Sequence, residues 1–215
     1  MALLLVAGAA YGLWHWQRPP GAATLEADWP AVVTVLAGDG VVGMRDGEAG
    51  RARFSDPFGV AVAADGGVYV ADAGGAQRIR RLTPDGVVLT FAGGGRGYVD
   101  GAASLARFNT PSALAIDAAG ILYVADTGNH VIRRITRDGL VSTLAGDGVA
   151  GYRDGPAAAA RFNGPVGVAI DGAGRVIVAD TYNVRGQVFW AESDKESIGL
   201  PPSDVLSITP LFRPR

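Results

Sequence analysis

The sequence predicts an all-β fold, a β-propeller built from four-stranded antiparallel blades. Three observations carry this reading. The first is a period: Ala-Arg-Phe falls at 52–54, 106–108 and 160–162, two steps of 54 residues. YVAD at 69–72, YVAD at 123–126 and IVAD at 177–180 keep the same step, as does Asp-Gly at 46–47, 100–101 and 154–155. Self-similarity in this range signals a repeat architecture. The second is that each unit holds four short runs rich in Val, Ile, Leu and Tyr. In the middle unit these are Ser112–Ile116, Ile121–Ala125, Val131–Ile135 and Leu140–Leu144, of strand length and bounded by turn residues. The third is that Ile121–Ala125 shows no polar alternation, so it needs cover on both faces. Stacking like sheets radially supplies that cover.

The turns justify the strand order. Asp117-Ala-Ala-Gly120, Asp126-Thr-Gly-Asn129 and Arg137-Asp-Gly139 hold residues that accept positive φ or bond their own backbone. Connections this short pair neighbouring strands antiparallel. The long connectors between units recur as Gly38–Phe54, Gly93–Phe108 and Gly146–Phe162. Their second halves, such as Pro156–Phe162, contain good helix formers after the Asp-Gly and predict one helical turn. Phe54, Phe108 and Phe162 are expected to plug between blades.

The pattern ARFxxPxxxAxDxxGxLYVADxxNHxIRxI followed by DGxVxTLAG resembles the NHL repeat. Asn129-His130-Val131 matches the namesake residues in part, with Val131 where the family has Leu or Arg. The resemblance runs from about Ala31 to Asn183. It implies a propeller, as a rule of six blades, with each blade's first strand lining a central channel. Six units of this length exceed the 215 residues present, so about three NHL-type blades of an incomplete ring are expected. The family includes RNA-binding modules, extracellular sensors, adhesion proteins and a few lyases, and similar propellers include lactonases. Fold alone therefore does not name the function.

Four regions are expected. Residues 1–17 are apolar with no charge up to Trp16 and read as an export signal or membrane anchor, which places the rest in the periplasm or outside the cell. Residues 18–30 hold three prolines and read as a linker. Residues 31–190 carry the partial propeller, and residues 191–215 a divergent tail in which Asp204–Ile208 is a poor candidate for a fourth strand. Ala31–Leu36 matches the outermost strand of a blade and is expected to latch a closed ring by pairing both chain ends.

Composition limits the chemistry. A net charge of −2 argues against a dedicated nucleic-acid binder. With no Cys, disulfides, thiolate catalysis and Cys-ligated metal are out. Between residues 31 and 183 there is one His, His130, and one Glu, Glu48. One His does not reproduce a multi-His metal site. No catalytic residue, metal ligand or cofactor is assigned.

Asp72, Asp126 and Asp180 end the second strand of each unit, and the bland reading makes them acceptors for the backbone of the turn that follows. Asn129, Asn183 and His130 are read as turn residues. Arg80, Arg81, Arg133 and Arg134 sit on equivalent third strands, either as a basic face for RNA or as stems that cover the sheet near the rim and pair with Asp or Glu. The connectors differ most at Val41–Arg45, Arg96–Val99 and Val149–Arg153. They carry Arg45, Arg96, Tyr98, Tyr152 and Arg153, residue types enriched at binding hot spots. The expected function is a non-enzymatic binding or scaffold module outside the cytoplasm, its partner another protein or an extracytoplasmic ligand. A propeller lyase or lactonase and an RNA-binding module are the alternatives. Two open blade faces are expected to favour self-association.

Overall fold

The structure, a computed structural model, describes residues 32–183 and the backbone of 185–190 and 204–208. The expected leader 1–17 and linker 18–30 lie outside the described residues. Contacts divide the chain into Met1–Thr34 and Val35–Arg215. In the first unit only 32–34 are described, and they form no strand.

The second unit holds three sheets. Blade 1 comprises β1 (Gly47–Glu48), β2 (Pro57–Val62), β3 (Val68–Asp72), β4 (Arg78–Leu82) and β5 (Val87–Ala92). Blade 2 comprises β6 (Gly101–Ala102), β7 (Pro111–Ile116), β8 (Leu122–Asp126), β9 (Val131–Ile135) and β10 (Leu140–Ala145). Blade 3 comprises β11 (Gly155–Pro156), β12 (Pro165–Ile170), β13 (Arg175–Asp180), β14 (Arg185–Trp190) and β15 (Asp204–Ile208). All pairings within the three sheets are antiparallel. The order is β1-β5-β4-β3-β2 in blade 1 and its equivalent in the others. The four-stranded meander is thus present three times, and the first strands β2, β7 and β12 are neighbours.

Each blade gains a fifth, two-residue strand that the strand signals do not predict. The Gly of the Asp-Gly pairs at 46–47, 100–101 and 154–155 opens it, and it pairs with the outermost long strand of its own blade: Gly47 with Val88, Gly101 with Val141, Gly155 with Val205. A Gly with φ of 126°, 122° or 135° occupies that position, a region side chains rarely adopt. The expected helical turns follow as 3₁₀ turns at Ala49–Arg51 and Ala157–Ala159. The middle connector has only a hydrogen-bonded turn there.

Two expectations need correction. The segment 32–36 forms no strand, and Val35 and Leu36 are 84% and 65% exposed; β15 fills the outer place in blade 3 at which a latch strand would pair. Blade 3 does not end at residue 190: β15 pairs with β14 through Val188↔Leu206 and supplies the fourth long strand. It lies within the stretch 191–215 assigned to the tail.

The core sits between blades. Leu122 and Val124 of β8 point to blade 1, where they meet Tyr69, Ala71 and Ile79. Tyr123 and Ala125 point to blade 3, where they meet Phe162, Val176 and Val178. Successive side chains of a strand point to opposite faces, so a strand apolar on both faces fits between two sheets. All five residues of β8 are buried. Phe108 and Phe162 are fully buried plugs, whereas Phe54 is only half-buried.

Candidate functional site

The side chains that recur in every blade converge on the connectors. Asp72, Asp126 and Asp180 are fully buried, and each is the last residue of its strand. The backbone N–H groups they accept from are not those of the turn that follows, the expected donors, but those of the chain that leads from the connector into the blade. Oδ1 of Asp126 accepts from the Asn109 N–H at 2.8 Å, and Oδ1 of Asp180 from the Asn163 N–H at 2.7 Å. Oδ1 of Asp72 accepts from the N–H groups of Ser55 and Asp56 at 2.8 and 2.9 Å. The reason is register: the strand pairs Pro111 with Asp126, which brings the carboxylate beside the chain entering β7.

The second carboxylate oxygen faces the following turn. Asn129 Nδ2 donates to Asp126 at 2.8 Å and to the Gly97 carbonyl at 2.8 Å. Asn183 repeats this with Asp180 at 2.5 Å and Gly151 at 2.8 Å. The two asparagines tie turn, strand end and connector together.

Arginine completes the joint in two blades. Arg133 is fully buried, and its Nη1 donates to Asp126 at 2.9 Å and to the Arg107 carbonyl at 3.0 Å. Its Nη2 donates to Asp100 at 2.5 Å and to the Val99 carbonyl at 2.8 Å. Arg80 bonds Asp72 at 3.1 Å, the carbonyls of Arg53 and Arg45, and Asp46. Rings flank both guanidinium groups: Phe108 and Tyr98 lie 5.1 and 5.2 Å from Arg133, and Phe54 lies 5.2 Å from Arg80. The expected pairing with Asp is present, but Arg80 and Arg133 are buried in the joint, which corrects their placement near the rim or on a basic face. Their neighbours face the other way. Arg81 is 29% exposed and pairs with Asp65 at 2.5 Å. In blade 3 the equivalent strand position is Gln187.

Burial dominates the electrostatics of this layer. It pushes the Asp126 carboxyl up to about 6, against the lowering pull of the Asn109 N–H, Asn129 and Arg133. Asp180 is also raised, mainly by burial. A buried pair of this kind offsets desolvation only when its remaining lone pairs and protons are bonded. Arg133 meets this condition, since its Nε also donates to Asp100 at 3.0 Å, whereas the Nε of Arg80 is buried without a partner.

His130 has a function the turn reading missed. It adopts φ of 57°, and its Nδ1 accepts from the Gly164 N–H of blade 3 at 3.1 Å. Gln77 does the same one blade earlier: φ is 51°, and its Oε1 accepts from the Thr110 N–H at 2.5 Å. Both are staples from one blade to the next. The signal lay in the alignment of Gln77 with His130 immediately before the third strand.

The connector candidates divide by their contacts. Arg45 pairs with Asp39 at 2.7 Å and Arg153 with Asp147 at 2.6 Å, and Arg53 and Arg161 grip the same two carboxylates. Those hydrogen bonds hold Asp39 and Asp147 below the usual carboxylate range. Tyr98 is 46% exposed and bonds Thr143 at 2.9 Å. Tyr152 is 41% exposed and donates to Asp154. Arg96 is exposed. Among the described residues no three His, Cys, Asp or Glu side chains gather where they could hold a metal ion.

Known proteins match at the level of the repeat and the fold. The NHL repeat profile matches residues 108–135 and 162–189, equivalent stretches of blades 2 and 3. Over 67 residues the chain is 43% identical to Protein SUPPRESSOR OF QUENCHING 1, chloroplastic, of Arabidopsis thaliana, which covers 30% of this chain and 6% of that protein. A structural genomics protein of unknown function from Bacteroides thetaiotaomicron is 30% identical with a TM-score of 0.53, over 58% of this chain and 32% of that one. An auxiliary nutrient binding protein from the same organism is 23% identical with a TM-score of 0.54, over 69% of this chain and 36% of that one. The chain thus spans about a third of these solved structures. The chain thus carries the NHL repeat twice, in blades 2 and 3, and has the β-propeller fold.

Proposed function

We propose that the chain is a non-enzymatic binding module whose contact surface is formed by the connectors, placed outside the cytoplasm by residues 1–17. One observation supports this most. The polar groups that recur in the blades are spent on joints, while the connectors vary and keep Arg96, Tyr98 and Tyr152 exposed. A general acid or base needs reach to a substrate proton. Asp72, Asp126 and Asp180 are buried against backbone N–H groups instead, and His130 Nδ1 accepts from Gly164. Rigid blades carrying variable loops are a platform for recognition, and Arg and Tyr give large contact area at hot spots. The partner is another protein or an extracytoplasmic ligand. With Arg80 and Arg133 buried, two of the four arginines of the RNA alternative are withdrawn from any surface.

The test uses Arg96→Ala and Tyr152→Ala, leaving Tyr98 in place because its ring lies against Arg133. The full chain is used to capture partners from an extracytoplasmic extract. The double variant is expected to lose the captured partner while its circular dichroism stays unchanged. An unchanged partner set removes this surface from consideration. Turnover of a lactone or peptide substrate by the chain overturns the non-enzymatic reading.

A further inference from the structure

The interface that joins the blades is present a third time, as two separated halves on one chain. Blade 2 docks on blade 1 through Ala106, Phe108, Leu122, Ile135 and Val141. Their sequence equivalents on blade 1 are Ala52, Phe54, Val68, Leu82 and Val88, which cluster with no blade beyond them among the described residues. The match runs position by position, but the cover does not. Leu114 is 7% exposed and its equivalent Val60 is 63% exposed. A groove of about 200 Å³ opens there, lined by Leu36, Phe54, Pro57, Val60, Val68 and Val70 among others.

The complementary half is on blade 3. Blade 1 receives blade 2 on Ala61, Tyr69 and Ala71, all buried. The equivalents Ala169, Ile177 and Ala179 on blade 3 are exposed, half-buried and exposed. The text before blade 1 names the kind of occupant. Val33-Thr-Val-Leu-Ala-Gly38 repeats Val141-Ser-Thr-Leu-Ala-Gly146, and the latter begins in β10, the outermost long strand of the blade on which blade 3 docks. By the same register the open face of blade 1 is the seat of a blade.

We propose that the occupant is blade 3 of a second copy of this chain. Its Ala169–Ile177–Ala179 face docks on the Phe54–Val60–Val68 face of blade 1, in the register of the blade 1–blade 2 contact. The contact is heterologous, one patch against a different patch. Two copies related by a twofold axis make it twice and form the smallest closed ring in which both faces of both copies are covered. Close backbone approach favours the docking. Gly59 lies against blade 2, where an added Cβ would come within 2.5 Å of the Ser112 carbonyl. Its blade 3 equivalent is Gly167, where an added Cβ would meet only Ala179 of the same blade. Blade 2 makes its contact with blade 3 with Ala113 at this position, so Gly167 leaves a neighbouring backbone at least as much room.

Light scattering and sedimentation of the full chain over a wide concentration range test this, with Val60→Glu on one face and Ile177→Glu on the other. The wild type is expected to give a two-copy species that dissociates on dilution. Each Glu variant is expected to weaken association about a hundredfold or more, since a carboxylate would be buried unpaired. Mixing the two variants restores a two-copy species, because one intact blade 1 face then meets one intact blade 3 face. Circular dichroism checks that each variant keeps its blades. The proposal is overturned by a wild-type monomer at every concentration, by a two-copy species that both variants leave unchanged, or by polymers of open-ended length.

Discussion

Blades 1 and 2 are written in nearly the same residues, yet one is core and the other is partly surface. Phe108 is fully buried, and its twin Phe54 is half-buried. Leu122 is 1% exposed, while Val68 in the same place is only partly buried. The difference is not in the strands, whose pairings repeat. It is in the neighbour: blade 2 has a sheet on each side, and blade 1 has one on one side only among the described residues. In a repeat fold the stability of a unit is its own pairing plus the interfaces it makes, so identical residues differ in worth by position in the array.

The largest effect is expected from the pair of Phe plugs. In solution dilute enough to keep single copies apart, Phe108→Ala is expected to cost about 3–5 kcal/mol, the range for a buried Phe left as a cavity. Phe54→Ala removes a ring that water already reaches, and about 1–2 kcal/mol is expected. Denaturant unfolding of both variants measures the gap, and equal losses would break the comparison.

The next effect concerns the buried arginine of blade 2. Arg133→Ala takes the cation away from buried Asp126 and a donor from Asp100 and two carbonyls, and is expected to cost about 3–5 kcal/mol, at the lower end if Asp126 takes up a proton. Arg134→Ala, its half-buried neighbour, is expected to cost under about 1 kcal/mol. Chemical denaturation again reads the difference.

A pH experiment sharpens the same joint. Asp126 titrates near 6 in the fold and near 4 in the unfolded chain. Between these values the folded state holds a proton that the unfolded state has released. The contribution of this group is therefore full below about pH 4 and is lost as pH rises through about 6. Unfolding free energy of the wild type, measured against Asp126→Asn, is expected to fall by about 2–3 kcal/mol across that window. Asp39 and Asp147 act with the opposite sign, losing stability as pH falls below the ordinary carboxylate range.

The period and the turn signals carried the blades. The strands of blade 2 fall within a residue of their expected bounds, and the lack of alternation in Ile121–Ala125 correctly implied cover on both faces. The joints were less legible. That the Asp of YVAD is structural could be read, but not its partner, because the Asn109 N–H lies 17 residues earlier and meets it only through strand pairing. Arg80 and Arg133 carried an overlooked signal. In Arg80-Arg81 and Arg133-Arg134 adjacent side chains point to opposite faces, and each buried one shares its unit with an Asp-Gly whose carboxylate it binds. Asp204–Ile208 has no text in common with the repeat, so its place in blade 3 had only its apolar residues to mark it. Arg45 and Arg153 lie in the variable connectors, but the structure holds them to Asp39 and Asp147.

The smallest effect is expected at the blade-to-blade staples. His130→Ala removes the acceptor for the Gly164 N–H and is expected to cost about 1 kcal/mol, as is Gln77→Ala for the Thr110 N–H. His130→Asn keeps a residue that tolerates positive φ and is expected to lose less. Thermal unfolding of the three variants orders them.

Hydrogen exchange on the equivalent strands Val68–Asp72 and Leu122–Asp126 tests the central claim most directly, since the two differ in little but their neighbours. The amides of Leu122–Asp126 are expected to exchange slowest at every protein concentration. Those of Val68–Asp72 are expected to exchange faster in dilute solution and to gain protection as concentration rises and a second copy covers blade 1. Equal protection of the two strands at the lowest concentration, unchanged on concentrating the protein, would contradict the account.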